Sequence, residues 1–339
     1  MILMSKPPFE INDAIINKLA EITTKLGGLN VIVNKKMDLH LRKASMVKTI
    51  NSSCAIEANT LTEQQVEGII NGKRIIAPPN EIIEVMNAYN AYVAIDDFEP
   101  YKTSSFLKAH GMLMEQLADD AGRYRTTDVA VYDDKKVVHI GARPQFISGL
   151  MDELFKWAEA SQLNPIIKAC VMHYEIETIH PFSDGNGRIG RLWQSVILCR
   201  YNELFKLTPI ETLVYTNQQR YYGSIEASRR ENSSTPFIEF MMEMISGTID
   251  AFNDGGNRLQ VLKNEYLKKL SRNEKEMLRI IIGNFSTGDV ITTGRLGEVT
   301  RYSDSAIRNH LKKLTDEKIL IASGENKGRK YMLNKNVFS

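Results

Sequence analysis

The chain has little cysteine: Cys54, Cys170 and Cys199 stand far apart among 339 residues, with no CxxC pair. An odd count at such spacing excludes a disulfide scaffold and a cysteine zinc site. It reads instead as reduced core thiols of a cytoplasmic protein. Long apolar runs are missing too. No window approaches the roughly eighteen uninterrupted apolar residues of a membrane helix, so no membrane span is expected. Residues 1–8 lack the apolar core of a secretion signal. Charge of one sign is also lacking: 43 basic residues face 41 acidic ones, and the net charge of +2 points to no partner by itself. No Gly-Lys-Ser/Thr follows a strand, which excludes a Walker A loop. What is present, 43% hydrophobic and 25% charged residues, is an ordinary globular composition. The length suits two or three domains.

Apolar spacing predicts helices through the first hundred residues. One covers 14–26 and is capped by Asn12, a second covers 38–50, and a third starts at Thr62, where Gln65 completes a capping box. A fourth covers 81–95, after Pro78-Pro79. Between them Glu57 sits among small and apolar neighbours, and its plain local reading is a solvent-facing helix glutamate. A helix over 103–117 carries His110 on its apolar stripe, as a core histidine. Residues 129–131 and 137–140 flank a turn at 133–136, a hairpin in an otherwise helical chain. It is a lid or docking edge, or else a connector. Further helices are predicted over 146–157, 165–179, 192–199 and 236–252. In the second of these His173 is structural, because no third metal ligand follows at i+3 or i+4.

The densest chemistry lies in His180-Pro181-Phe182-Ser183-Asp184-Gly185-Asn186-Gly187-Arg188-Ile189-Gly190-Arg191. His180 can be neutral near pH 7 and accept a proton from an attacking hydroxyl. Gly185, Asn186 and Gly187 free successive N–H groups to form a nest for phosphate oxygens. A helix resuming at Arg188 brings its positive end to the same place. Arg188 and Arg191 share one helical face, where both can grip further phosphates. Asp184 supplies an oxygen ligand for Mg²⁺ shared with those phosphates. Phe182, the only large apolar residue of the loop, anchors it in the core. The plain alternative is a polar loop between two core helices, which has to account for five specialised residue types in twelve positions.

From His180 to Arg191 the sequence resembles, at every position, the signature HPFx(D/E)GNGRxxR of the Fic family. The resemblance implies a mainly α fold, a Fic-type helical bundle with a β-hairpin flap. It implies transfer of a nucleoside monophosphate, usually AMP from ATP, to a Ser, Thr or Tyr hydroxyl of a target protein or of the chain itself, with release of pyrophosphate. On it, His180 is the catalytic base and Asp184 holds Mg²⁺ between the α- and β-phosphates. Gly185, Asn186 and Gly187 cradle the α-phosphate, and Arg188 and Arg191 bind the β- and γ-phosphates. The 129–140 hairpin looks like the flap that registers a target segment by strand addition. Kinase-like relatives resemble HxFxDANKR, so Gly187 followed by Arg188 implies nucleotidyl transfer.

The resemblance reaches further. Ser53 and Glu57, with Asn59 beyond, resemble the (S/T)xxxE(G/N) pattern of an inhibitory helix, from which Ala58 departs. It implies that Glu57 pairs with Arg191 in place of the γ-phosphate. Residues 217–222 are similar to an NRxxYY segment lining the adenine pocket, implying nucleotide contacts from Asn217, Tyr221 and Tyr222; Gln218 departs from the family's arginine. Alternatives stay open: a nucleotide-sensing transcriptional or interaction protein, a donor such as UTP, or removal of AMP with Glu57 positioning a water.

After a break at 254–257 come helices over 259–270, 273–282, 293–300 and 303–318, then strands at 319–321 and 329–333 around a turn at 324–328. This order resembles a winged helix-turn-helix. From Ser271 onward 13 Lys/Arg face 8 Asp/Glu, a mild basic excess that suits DNA phosphates. Ser305, Arg308, Asn309 and Lys312 form the exposed face of a recognition helix. Docking of a protein or of another protomer as a homodimer is the alternative. The expected division is 1–98, an N-terminal helical region with the inhibitory helix near 50–60; 99–254, the catalytic domain; and 255–339, the winged helix domain.

Overall fold

The computed structural model describes residues 6–30, 38–133, 136–261, 269–285, 289–300, 302–324, 329–334 and 337. Much of the expected helix over 259–270 and the turns at 134–135 and 325–328 lie outside the described residues. The chain divides into two compact units, residues 1–249 and 250–339. The first therefore holds both the N-terminal helices and the region of the motif.

The first unit opens with α1, Asp13–Asn30, where the Asn12 side chain accepts from Ile15 N–H at 3.0 Å. Helix α2 runs unbroken over Asp38–Ile56, six residues beyond the periodic segment ending at Ile50. Asn51, Ser52 and Ser53 are weak helix formers, but each is tied down from outside. Asn51 donates to Leu61 O, Ser52 to Thr212 Oγ1, and Ser53 accepts from Arg191. Helix α3, Glu63–Ile70, starts on the expected capping box of Thr62 and Gln65. Helix α4 is Pro79–Val93 and α5 is Thr103–Leu113. The apolar stripe of α5 continues to Leu117, but the helix stops at Leu113 and the chain turns through Gln116 at φ 60°. No glycine marks that stop in the sequence.

Strands β1, Ala130–Asp133, and β2, Lys136–Ile140, pair antiparallel, Ala130 opposite Ile140 and Val131 opposite His139. Helices α6, Pro144–Ala160, α7, Pro165–Ile179, and α8, Asn186–Tyr201, follow. Then come α9, Ile210–Thr216, α10, Gln218–Glu231, and α11, Thr235–Val261. Helix α7 is buried on nearly every side, as the centre of a helical bundle must be. Around it Trp193 of α8 meets Phe106 at 5.2 Å and Phe155 at 5.8 Å, ring centre to ring centre. Phe182 joins that cluster, fully buried, 5.5 Å from Phe106. Burying such a ring stabilises by about 2–3 kcal/mol, and it pins the motif loop to the core.

The second unit contains α12, Arg272–Asn284, α13, Thr293–Val299, α14, Asp304–Asp316, and the antiparallel pair β3, Leu320–Ser323, and β4, Lys330–Leu333. Ile291 and Tyr331 exchange both backbone hydrogen bonds beside the hairpin. Met277, Ile281, Leu296, Ile307, Leu311 and Leu314 build its own apolar core. Among the described residues no helix is long and apolar enough to cross a membrane.

Candidate active site

Helix α7 ends at Ile179 and His180 follows as its C-cap in the left-handed conformation, φ 53°, ψ 61°. Pro181 cannot continue a helix, and the chain loops to Gly185, which caps α8 at φ 79°. Asn186 closes the loop on itself: its side chain accepts from Phe182 N–H and donates to Phe182 O, both at 2.9 Å. The sequence suggested only the backbone of this asparagine; its buried amide is a staple. The first i→i−4 bond of α8 runs from Ile189 N–H to Gly185 O. The N–H groups of Asn186, Gly187 and Arg188 therefore stand at the open, positive end of the helix.

The His180 ring packs at the end of α7, edge to face with the His139 ring. Its Nδ1 meets Glu177 O at 3.4 Å. A carbonyl only accepts, so the proton sits on Nδ1 and Nε2 presents a lone pair. Burial lowers the His180 pKa to about 4; the Glu177 carbonyl works against this, and His139, Arg125 and Arg229 add to it. The imidazole is thus neutral at pH 7. His110 supports the loop from below. It stacks on Phe182 at 3.5 Å, accepts from Gly122 N–H on Nδ1, and donates from Nε2 to Asp184 O. It is a satisfied core histidine. His173 is one as well, fully buried between Gln194 and Tyr221.

Both motif arginines are occupied. Arg191 is buried and donates to Ser53 Oγ and Ser53 O at 3.1 Å and to Glu57 Oε1 at 2.7 Å. Burial alone lowers its pKa, but Glu57, Tyr221 and Glu177 together outweigh that and hold it above the usual arginine value. A side chain at Gly187 would put its Cβ 2.6 Å from Glu57 Oε1. The Glu57 carboxylate therefore occupies the place beside the helix start where an anion is favoured. Arg188 donates to Glu84 Oε1 at 2.7 Å and to Asp184 Oδ1 at 3.0 Å. Glu84 of α4 was not legible as a site residue, because nothing in its local sequence sets it apart. Asn59 Nδ2 donates to Glu84 Oε2 at 2.8 Å, which ties the end of α2 to the same carboxylate. Burial raises the Glu84 pKa, and the bonds from Asn59 and Arg188 oppose the rise.

Glu177 lies beneath Arg191, buried, with Tyr221 OH donating to its Oε1 at 3.3 Å. Burial raises its pKa to about 7, against the pull of Arg191. Its signal in the sequence was a glutamate within a helix that is mostly apolar, a signal it shares with Glu175. Tyr221 is likewise buried, so it stands in the core rather than on an open pocket face, while Tyr222 is half exposed. Asn217 turns its side chain to Leu213 O at 2.9 Å. Gln218, the departure from the family's arginine, donates to Ile56 O at 3.1 Å. The expected adenine segment thus braces the end of α2.

The sequence profile of the Fic/DOC family matches residues 100–198. A protein named protein adenylyltransferase Fic from Nematostella vectensis is 28% identical over 226 residues, 62% of this chain and 49% of that protein. Its namesake from Culex quinquefasciatus is 29% identical over 223 residues, 62% of this chain and 42% of that protein. The chain thus spans about half the length of the curated relatives it matches. A crystal structure of a Fic family protein from Desulfovibrio desulfuricans G20 is 30% identical, with a TM-score of 0.72 over 97% of this chain and 98% of that one. Fic-1 (aa134–508) of C. elegans shares the fold at 19% identity and a TM-score of 0.57, over 70% of this chain and 71% of that one.

Proposed function

Because the chain belongs to the Fic family, we propose that it is a protein adenylyltransferase, which moves AMP from ATP to a Ser, Thr or Tyr hydroxyl of a target protein or of itself, and that Glu57 holds it inactive. The observation that carries this reading is the pairing of Glu57 with Arg191, its carboxylate standing over Gly187 at the start of α8, together with a neutral His180 at the end of α7.

In the proposed reaction His180 Nε2 takes the proton of the target hydroxyl as its oxygen attacks the α-phosphorus. The bond from that phosphorus to the bridging oxygen of the β-phosphate breaks, and pyrophosphate leaves. The α8 N–H groups receive the charge of the α-phosphate, and Arg188 and Arg191 receive the β- and γ-phosphates. Asp184 offers one exposed carboxylate beside them, the ligand set that Mg²⁺ shared with substrate phosphates requires. The cation would neutralise phosphate charge there. Glu57 inhibits by filling the anion position on Arg191. Leaving a buried arginine unpaired costs about 3–5 kcal/mol, so the closed pair opens only when a phosphate replaces the carboxylate.

Mass spectrometry of the purified chain and of a cell lysate, after incubation with Mg²⁺ and each nucleotide triphosphate, tests both parts. ATP should add the mass of one AMP, Glu57→Gly should raise its incorporation at least about tenfold, and His180→Ala should abolish it. Labelling of Glu57→Gly equal to or below the parent's refutes the inhibitory role. A nucleotide other than ATP as sole donor refutes the donor.

A further inference from the structure

The last carbonyls of a helix have no partner within it. Four successive carbonyls at the end of α7 all find theirs on the hairpin segment. His139 Nε2 bonds Thr178 O at 2.8 Å, and Ala142 N–H bonds Ile179 O at 3.1 Å. Arg125 Nε bonds His180 O at 2.8 Å, and Arg125 N–H bonds Pro181 O at 3.0 Å. The rest of the Arg125 guanidinium reaches the two feet of the hairpin: Nη1 donates to Thr127 O at 2.6 Å, before β1, and Nη2 to Ala142 O, after β2. Arg125 is almost fully buried. Its charge is spread over three backbone carbonyls, one of them on the helix end where a cation is favoured.

Space around the contact is equally committed. A Cβ on Gly141 would stand 2.6 Å from Arg125 Nη2 and 3.1 Å from His180 Cβ. The His139 and His180 rings meet edge to face, 6.1 Å apart. The hairpin foot, the guanidinium and the base are therefore packed as one piece. His180 needs such support, because a non-glycine residue in the left-handed region is strained by about 1–2 kcal/mol.

We propose that Arg125 is a positioning residue for the transfer: its guanidinium locks both feet of the docking hairpin to the backbone of His180, so that a target strand paired with the hairpin presents its hydroxyl at a fixed distance from the base. The proposal rests on the adenylyltransferase reading, and on strand addition as the way a target docks. A free β-strand edge supplies the register; Arg125 carries that register to the imidazole. Arg125 touches neither reacting atom, so its loss should lower the rate of transfer and leave nucleotide affinity alone.

Three full-length variants in the Glu57→Gly background test it: Arg125→Lys, Arg125→Gln and Gly141→Ala, the last displacing the guanidinium without removing its charge. Hydrogen–deuterium exchange should rise about tenfold or more in peptides covering 126–133 and 136–142 and, together with them, in 178–183, while 189–200 keeps its protection. Calorimetric affinity for ATP·Mg²⁺ should stay within about twofold, and kcat for self-labelling should fall about 10- to 100-fold with KM for ATP unchanged. Loosening of the hairpin peptides alone, with 178–183 as protected as before, overturns the proposal, as does an unchanged kcat. If the Glu57→Gly parent itself transfers nothing, the functional reading fails, while the exchange pattern still decides whether Arg125 couples the two segments. Should the arginine variants unfold, Gly141→Ala decides the matter by the same measurements.

Discussion

Ala58 sits at φ 67°, in the left-handed region, one residue past the carboxylate that holds Arg191. The bonds around it form a Schellman motif: Asn59 N–H reaches Cys54 O at 3.1 Å and Ala58 N–H reaches Ala55 O at 3.1 Å. Glycine or asparagine takes this conformation readily, whereas alanine is strained there by about 1 kcal/mol. The departure from the expected (S/T)xxxE(G/N) pattern thus acquires a physical meaning: the end of α2 is held slightly under strain. Ala58→Gly should favour the closed pair and slow self-labelling by the unmodified chain about fivefold; equal or faster labelling counts against strain at this position. A second residue-scale expectation concerns His180. Its pKa is lowered from 6.5 to about 4, and protonation removes the base. The kcat/KM of Glu57→Gly, which reports the free enzyme, should stay flat from pH 8 down to about 6 and fall only as pH approaches 4. An acidic limb centred near 6.5 would show an imidazole that is open to water.

Helix α7 carries two glutamates in a nearly all-apolar setting, Glu175 and Glu177, each raised to about 7 by burial. Arg191, Tyr221, His173 and Glu57 face Glu177. The sign of the consequence follows from linkage. Between pH 4.5 and about 7 the folded chain keeps a proton on Glu177 that the unfolded chain has lost, so stability falls across that window and levels off above it. Glu177→Gln, which still accepts from Tyr221, removes its share of the fall, at most about 3 kcal/mol. Melting curves at pH 5 and pH 8 should show the variant losing less Tm than the parent between the two; parallel losses would falsify a buried protonated Glu177. Helix α2 works by the same principle of contact over local preference: its last turn is fixed by Leu61 just beyond it and by Thr212 and Arg191, both far from it in sequence.

The molecule consists of two compact units, 1–249 and 250–339, and a role for the second as a nucleic-acid module is our proposal. Ser305, Arg308, Asn309 and Lys312 are exposed on α14, opposite the buried Ile307, Leu311 and Leu314. If that face meets phosphates, the intact chain should retard duplex DNA at low salt, with affinity falling steeply as salt rises, and deletion of 271–339 should abolish retardation. No retardation by the intact chain at low salt would leave protein docking as its use. In the first unit, the twelve residues of the motif were legible from chemistry alone, because a histidine, a carboxylate, a glycine turn and two arginines have few other uses together. The helices were legible wherever an apolar stripe coincided with a cap, as at Thr62. Sequence by itself determined the helical class and the loop in which a histidine, a carboxylate, a glycine turn and two arginines stand together, since those depend on residue type and short spacing. Only the tertiary structure decided that Glu84 and Glu57 take the two arginines, that Tyr221 is core, and that Arg125 caps the helix ending at His180. Each of those is a contact between residues dozens to more than a hundred positions apart, and it exists only once burial makes a charged group choose a partner.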